Sequence, residues 1–324
     1  MKVAIIGCGL LGRKRADALG EHSLSLCADV VPERAQQLAS LHKDAAATGN
    51  WQDVVNAPDI ELVIVSATPN HLAQMTQACI EAGKHVLVEK PAGTSASELH
   101  KLLRRAEALG KHVRVGFNHR YHPAMQKAKA LIDAGELGDL MYIRARYGHG
   151  GRLGYEKEWR ADPAISGGGE LIDQGFHLID LSRWYLNEEF TQISGFANTY
   201  FWKMPVDDNA FMLLNTAKNQ TACLHASWTE WKNLFSFEIF GQLGKIQIDG
   251  LGGSYGVEQI TWYRMSKEMG PPQTQTWQFP EPDSSFAKEF DSFAQDVLKD
   301  RKGTPNLTDA IAAFEIAESI YKLG

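Results

Sequence analysis

The sequence predicts an α/β fold: a doubly wound N-terminal domain over residues 1–120, then an α+β domain over residues 121–324 built on a large, open, predominantly antiparallel sheet. Three observations lead there. Short apolar runs alternate with amphipathic stretches through the first third of the chain. A glycine-rich turn follows the first of those runs directly. Beyond Pro123, long β-type runs succeed one another with turn residues between them. Composition agrees, because 324 residues suffice for two filled cores, and 44% hydrophobic with 22% charged residues is a globular balance.

The parallel strands are expected at residues 3–6, 24–28, 62–66, 85–88 and 113–115, each a short apolar run of the kind buried on both faces. Helices are expected at 32–41, 69–82 and 95–109. Ser95 and Glu98 have capping-box spacing, and Gly83 and Gly110 stand where helix-ending glycines belong. In the second half the spacing predicts a helix over 124–134, a strand over 140–147 and a helix over 171–185. Further β runs are expected at 193–200, 209–216, 221–231, 235–240 and 244–248, with a loop at Gly270-Pro271-Pro272 and closing helices at 285–298 and 308–323.

The turn after the first strand reads Gly7-Cys8-Gly9-Leu10-Leu11-Gly12. In a GxGxxG of this placement the first glycine permits the tight turn, the second admits a pyrophosphate to the backbone, and the third lets helix and strand approach. The helix N-terminus, with Leu10 and Leu11 in its first turn, then faces the phosphates. Asp29 ends the second strand, 22 residues beyond Gly7, where a carboxylate accepts from the adenosine ribose hydroxyls and repels a 2'-phosphate. A Rossmann dinucleotide-binding domain with NAD as cofactor is the expectation, and Arg34 leaves NADP as the lesser alternative. Two more loops leave the carboxyl ends of strands, where ligands bind in open α/β sheets. One carries Thr68-Pro69-Asn70-His71. The other is Glu89-Lys90-Pro91, whose lysine can stabilise negative charge developing on oxygen.

The stretch from Gly167 to Asp180 joins three glycines to a helix with Asp173 and His177 four residues apart. Residues at that spacing share a helix face, and imidazole beside a carboxylate is suited to proton transfer near neutral pH. His149, between Gly148 and Gly150, is a further substrate-contact candidate, whereas Trp228, Trp231, Tyr255 and Trp262 read as core or interface.

A net charge of −6 with no long basic block gives no support for nucleic acid or an anionic membrane as partner. No segment reaches the roughly 18 apolar residues of a membrane span. The four cysteines, Cys8, Cys27, Cys79 and Cys223, form no CxxC, so neither a metal site nor a disulfide framework is expected. Met1 leads into a buried strand with no charged leader, and a cytoplasmic setting is expected.

Taken together, the GxGxxG, Glu89-Lys90-Pro91, and the triple glycine followed by Asp173 and His177 resemble the glucose-fructose oxidoreductase, inositol dehydrogenase and rhizopine catabolism protein family, Gfo/Idh/MocA. The resemblance spans nearly the whole chain. It implies Lys90, Asp173 and His177 as the catalytic set, Asn118 and Arg120 of the Gly116–Tyr121 segment facing the active site, and Trp159-Arg160 on the substrate side. It also implies a last helix that packs back near the nucleotide domain, and dimers or tetramers formed through the open sheet. The expected activity is NAD-dependent hydride transfer from a secondary alcohol of a sugar, sugar derivative, nucleotide sugar or cyclitol. A polyhydroxylated small molecule suits a site lined by Asn118, Arg120, Trp159, Arg160, Asp173 and His177, because each buried hydroxyl needs a partner. Redox-assisted glycoside cleavage and non-catalytic nucleotide sensing are the alternatives.

Overall fold

A computed structural model describes residues 1–266 and 268–323. In chain order its first elements are β1 (Lys2–Ile6), α1 (Leu10–Asp17), β2 (Ser23–Ala28), α2 (Pro32–Ala39), β3 (Ala46–Thr48), α3 (Gln52–Asn56), β4 (Leu62–Val65), α4 (Pro69–Glu81), β5 (His85–Glu89), α5 (Ala96–Ala108) and β6 (Val113–Gly116). There follow α6 (Pro123–Asp133), β7 (Leu140–Gly148), α7 (Pro163–Ser166), α8 (Phe176–Leu186), β8 (Phe190–Asn198), β9 (Asn209–Thr216), β10 (Thr221–Ser227) and β11 (Leu234–Gly241). The chain closes with β12 (Gly244–Asp249), β13 (Glu258–Arg264), β14 (Gln273–Phe279), α9 (Ser285–Leu298) and α10 (Leu307–Leu323). Two compact units result: Met1–Asn118 with Phe286–Ala312, and His119–Ser285 with the residues from Ala313 onward.

The first unit is a six-stranded parallel sheet in the order β3-β2-β1-β4-β5-β6. The order reverses between β1 and β4, so the loops after those strands diverge and leave a crevice at their carboxyl ends. Prolines at the first turn of α2 and α4 preset the helical φ where no amide partner is needed. Val3, Ile5, Leu24, Cys27, Leu62, Ile64 and Leu87 form one buried core with Phe290 and Phe293 of α9. Full burial of each large apolar side chain is worth about 1.5–3 kcal/mol. The returning segment also joins the sheet edge, where Val115 N–H donates to Pro305 O at 3.4 Å. Strand β3 and helix α3 escape the sequence reading because three and five residues are too few to show a period.

The second unit carries an eight-stranded sheet ordered β14-β13-β12-β11-β7-β10-β9-β8. Every pairing is antiparallel except β7 with β10. Alternation sets its faces: Ile143, Ala145 and Tyr147 of β7 and Phe235, Phe237 and Ile239 of β11 are buried. On the opposite face Tyr142, Phe196, Phe211 and Leu213 are exposed by 40%, 63%, 42% and 54%. The run expected to extend to 231 stops at Ser227, and Trp228 turns into the core. Strands β13 and β14 were not anticipated by periodicity: β14 reads Gln-Thr-Gln-Thr-Trp-Gln-Phe, an edge strand with no continuous apolar face. The helix expected over 171–185 is two structures, a π turn at Leu171–Gly175 and α8 proper.

Candidate active site

In the first unit the glycine turn has the shape its sequence calls for. Gly7 lies at φ +93°, and a Cβ at Gly12 would stand 2.0 Å from the Gly7 carbonyl oxygen, so both are required by the backbone itself. Gly9 differs: no atom lies within 4 Å of where its Cβ would be. That open space faces the start of α1, whose N-cap position offers no side-chain acceptor, so the first-turn amides stay available to an anion. Leu10 and Leu11 there are 75% and 40% exposed. Asp29 is 9% exposed and accepts from Cys8 N–H at 2.7 Å and Val31 N–H at 2.8 Å. Its carboxylate thus fastens the glycine turn, and two oxygens of four lone-pair sites retain capacity for a ribose diol. Arg34 extends from α2 into solvent. This donor and acceptor set fits a dinucleotide.

Thr68 is the N-cap of α4, and its hydroxyl donates to Asn70 Oδ1 at 2.8 Å, while Asn70 Nδ2 and His71 Nε2 are 3.5 Å apart. At the end of β5, Ala92 N–H donates to Glu89 O at 2.9 Å around a cis Lys90–Pro91 bond, a type VI turn with Lys90 at its second position. The Glu89 carboxylate is buried and bound to Arg15 Nε at 2.6 Å, and Arg15 in turn meets Glu289 at 2.5 Å. Glu89 therefore anchors the lysine turn to the core. Asn118, 9% exposed, closes this unit's first segment.

In the second unit two of the three glycines answer to close neighbours, a side chain at Gly168 and the backbone of Asp207 at Gly169. A Cβ at Gly168 would fall 2.5 Å from the Tyr321 hydroxyl, and one at Gly169 only 2.0 Å from Asp207 O. Asp207 caps the segment that follows: its carboxylate accepts from Gly169 N–H at 3.0 Å, Leu171 N–H at 2.8 Å and the Tyr321 hydroxyl at 2.7 Å. Burial raises its pKa, and the hydroxyl and amides work against that rise. The π turn beyond carries Asp173, whose Oδ2 is 3.5 Å from Arg160 Nε. Arg160 lies 4.4 Å over the Trp159 ring and pairs with Glu158, which also binds Arg152 at 2.6 Å. The expected substrate-side segment and Asp173 are therefore brought together. A π turn changes where side chains emerge without losing backbone bonds, and such turns gather at functional sites.

One turn later His177 is 5% exposed, its ring stacked on His119 with centroids 3.6 Å apart and planes at 15°. His119 Nε2 is 3.2 Å from the Tyr147 hydroxyl. Burial, with Tyr255 and Asp173 adding to it, drives the Tyr147 phenol well above its ordinary pKa; burial likewise pushes Tyr255 up to about 12, so both remain neutral hydroxyls. Gln174 Nε2 donates to the Tyr255 hydroxyl at 3.0 Å. His149 is shifted the other way, its imidazolium disfavoured by burial, and its Nδ1 accepts from Gly151 N–H at 2.9 Å. Arg120 is the arginine of the Gly116–Tyr121 segment expected to face the active site. It is 4% exposed and makes a two-bond fork to Asp180 at 2.8 and 2.6 Å, tying the turn that starts at Asn118 to α8.

Sequence reasoning did not single out His119, Tyr147 or Asp207. Tyr147 was accessible through the inward positions 143, 145 and 147 of β7, and His119 through its place in the Gly116–Tyr121 segment. Asp207 carries no local signal, since its partners are 38 and 36 residues away.

Two family models match the chain. The description "Oxidoreductase family, NAD-binding Rossmann fold" covers residues 1–117, and "GFO/IDH/MocA C-terminal domain" covers residues 125–247. A levoglucosan dehydrogenase of Pseudarthrobacter phenanthrenivorans is 28% identical over 240 residues, 67% of this chain and 59% of that protein. An inositol 2-dehydrogenase of Salmonella typhimurium is 28% identical over 201 residues, 60% of this chain and 56% of that one. The matched region thus spans little more than half the length of these curated relatives. Among solved structures, a levoglucosan dehydrogenase in complex with NADH and levoglucosan superposes with a TM-score of 0.88 at 22% identity, covering 100% of this chain and 98% of the other, a likeness of fold.

Proposed function

Because the chain belongs to the GFO/IDH/MocA oxidoreductase family with its NAD-binding Rossmann fold, we propose that it is an NAD-dependent dehydrogenase acting on a secondary alcohol of a sugar, sugar derivative, nucleotide sugar or cyclitol. The observation that carries this reading is the helical segment after the triple glycine, which holds Asp173 beside Arg160 and a buried imidazole at His177. The relatives named for levoglucosan and inositol support the substrate class. NAD, when bound, supplies the hydride acceptor. Gly7, Gly9, Gly12 and the amides of Leu10 and Leu11 cradle its pyrophosphate, and Asp29 binds the adenosine ribose. Thr68, Pro69, Asn70 and His71 line the neighbouring loop, and Glu89 holds the turn of Lys90.

In the oxidation direction, His177 takes the hydroxyl proton as the carbon-bound hydrogen departs with its electron pair. Lys90 hydrogen-bonds the reacting oxygen and favours its ionisation, and Asp173 orients substrate, with Asn118, Trp159 and Arg160 serving the remaining hydroxyls. Arg120 acts through Asp180 to hold α8. The test is His177→Ala assayed with NAD against myo-inositol, levoglucosan and a wider polyol panel. Turnover should fall by about two orders of magnitude or more while NADH binding persists. Turnover equal to wild type removes His177 from the role, and free sugar released without net NADH replaces the reading by glycoside cleavage.

The same reading covers the exposed face of the sheet with a second copy of the chain, giving a dimer or tetramer; Tyr142, Phe196, Phe211 and Leu213 supply an apolar patch for it. All four cysteines are free thiols, which supports a reducing, cytoplasmic setting. Among the described residues no helix is long and apolar enough to cross a membrane.

A further inference from the structure

We propose that His119 is a positioning residue for His177, an inference that rests on the dehydrogenase reading above. A general base must present one ring nitrogen in one direction, yet the torsion that rotates an imidazole about its Cβ–Cγ bond is broad and roughly two-fold. The stack restricts it. With ring planes 15° apart and centroids 3.6 Å apart, any large rotation of His177 drives its edge into the face of His119. Neighbours touching only by their edges would leave that rotation much freer.

His119 is itself fixed from several sides. Its Nε2 meets the Tyr147 hydroxyl at 3.2 Å, the His122 ring stands edge-on at 5.6 Å, and Phe235 closes a third side at 6.3 Å. His122 is held by Glu258 at 2.9 Å. Tyr147 packs on Tyr255 at 5.1 Å, and Tyr255 accepts from Gln174, the residue after Asp173. The circuit runs from the π turn through Gln174, Tyr255, Tyr147 and His119 back to His177 on α8, all within one unit. It couples the orientation of the imidazole to the turn that carries the neighbouring acid. The hydrogen bond to Tyr147 and the rings packed around His119 steady its plane, and the stacked plane restrains His177.

The test compares His119→Ala with His119→Phe, which keeps a flat ring on His177 but lacks the nitrogen, and with Tyr147→Phe. Steady-state rates are measured with NAD and myo-inositol or levoglucosan, NADH affinity by fluorescence, and the His177 ring by nitrogen-15 NMR of the imidazoles. His119→Ala should lose about tenfold or more in kcat, as a displaced base does, with KM and NADH affinity within about twofold. His119→Phe should recover most of that loss, and Tyr147→Phe should fall between. In the NMR spectrum His177 should show one tautomer in wild type and averaged nitrogen shifts in His119→Ala. A kcat unchanged in His119→Ala, or His119→Phe impaired as deeply, overturns the role. So do identical His177 nitrogen shifts in wild type and His119→Ala, a readout that stands even where neither polyol is turned over. Absence of turnover in wild type with the NMR change present would instead count against the dehydrogenase reading alone.

Discussion

Gly9 and Gly12 stand three residues apart in one turn under opposite constraints. Gly12 is required by the protein, since its Cβ would lie 2.0 Å from Gly7 O, whereas at Gly9 nothing stands within 4 Å. Gly12→Ala should therefore lower thermal stability and disturb the turn with or without nucleotide. Gly9→Ala should fold with stability within about 0.5 kcal/mol of wild type, as a surface substitution does. It should nevertheless lose NADH affinity by about tenfold or more, equivalent to roughly 1.4 kcal/mol, because the methyl occupies the pyrophosphate's space. Melting curves with and without NADH decide the matter: an NADH-induced shift in Gly9→Ala equal to that of wild type would show that the open space is not the phosphate cradle. The residue scale is also where the sequence was most legible. Gly7, Gly9, Gly12 and Asp29 act within one strand–helix–strand unit, so their spacing carries the geometry. The reason for Gly169 was not legible, because the atoms that exclude a side chain there belong to Asp207, distant along the chain, and at Gly168 the closest is the hydroxyl of the equally distant Tyr321.

At the scale of the element, the acid and the imidazole share one helical segment but not one helix type. Four residues along a helix predicts the shared segment, and nothing in that spacing reveals the π turn at Leu171–Gly175. What fixes the segment is tertiary: Asp207 at its start, the His119 stack in its middle, and the Arg120–Asp180 fork one turn beyond His177. Arg120 and Asp180 are 5% and 1% exposed at their side chains, so the pair is a buried one. Removing one carboxylate from a buried guanidinium costs about 3–5 kcal/mol, and Asp180→Ala should lose stability of that order in urea unfolding. Loss confined to substrate KM, with unfolding unchanged, would restore Arg120 to the substrate-facing role that the sequence resemblance implies. The fork itself was not legible in the sequence, because its acceptor sits 60 residues away.

For the whole molecule, the two-part plan was legible because each part has its own period: buried parallel runs with helices between, then long β runs joined by turns. The extent of the second sheet was not, since β13 and β14 lie in a polar, glycine-containing stretch at the sheet's end. The apolar outer face leads to an assembly prediction. Sedimentation of the wild type should give a dimer or tetramer, and Phe211→Glu with Leu213→Glu should give monomers that retain the fold; a monomeric wild type at micromolar concentration would dismiss the face as an interface. The plan of the first unit also bears on synthesis at the ribosome. N-terminal domains commonly fold first as a chain emerges, yet this one is assembled from residues Met1–Asn118 and Phe286–Ala312. Phe290 and Phe293 fill its core, and Glu289 neutralises the fully buried Arg15. Residues 1–118 consequently wait on a segment made only after the whole intervening sheet, and a nascent chain halted before residue 286 presents an open core and a half-paired cation to the folding machinery.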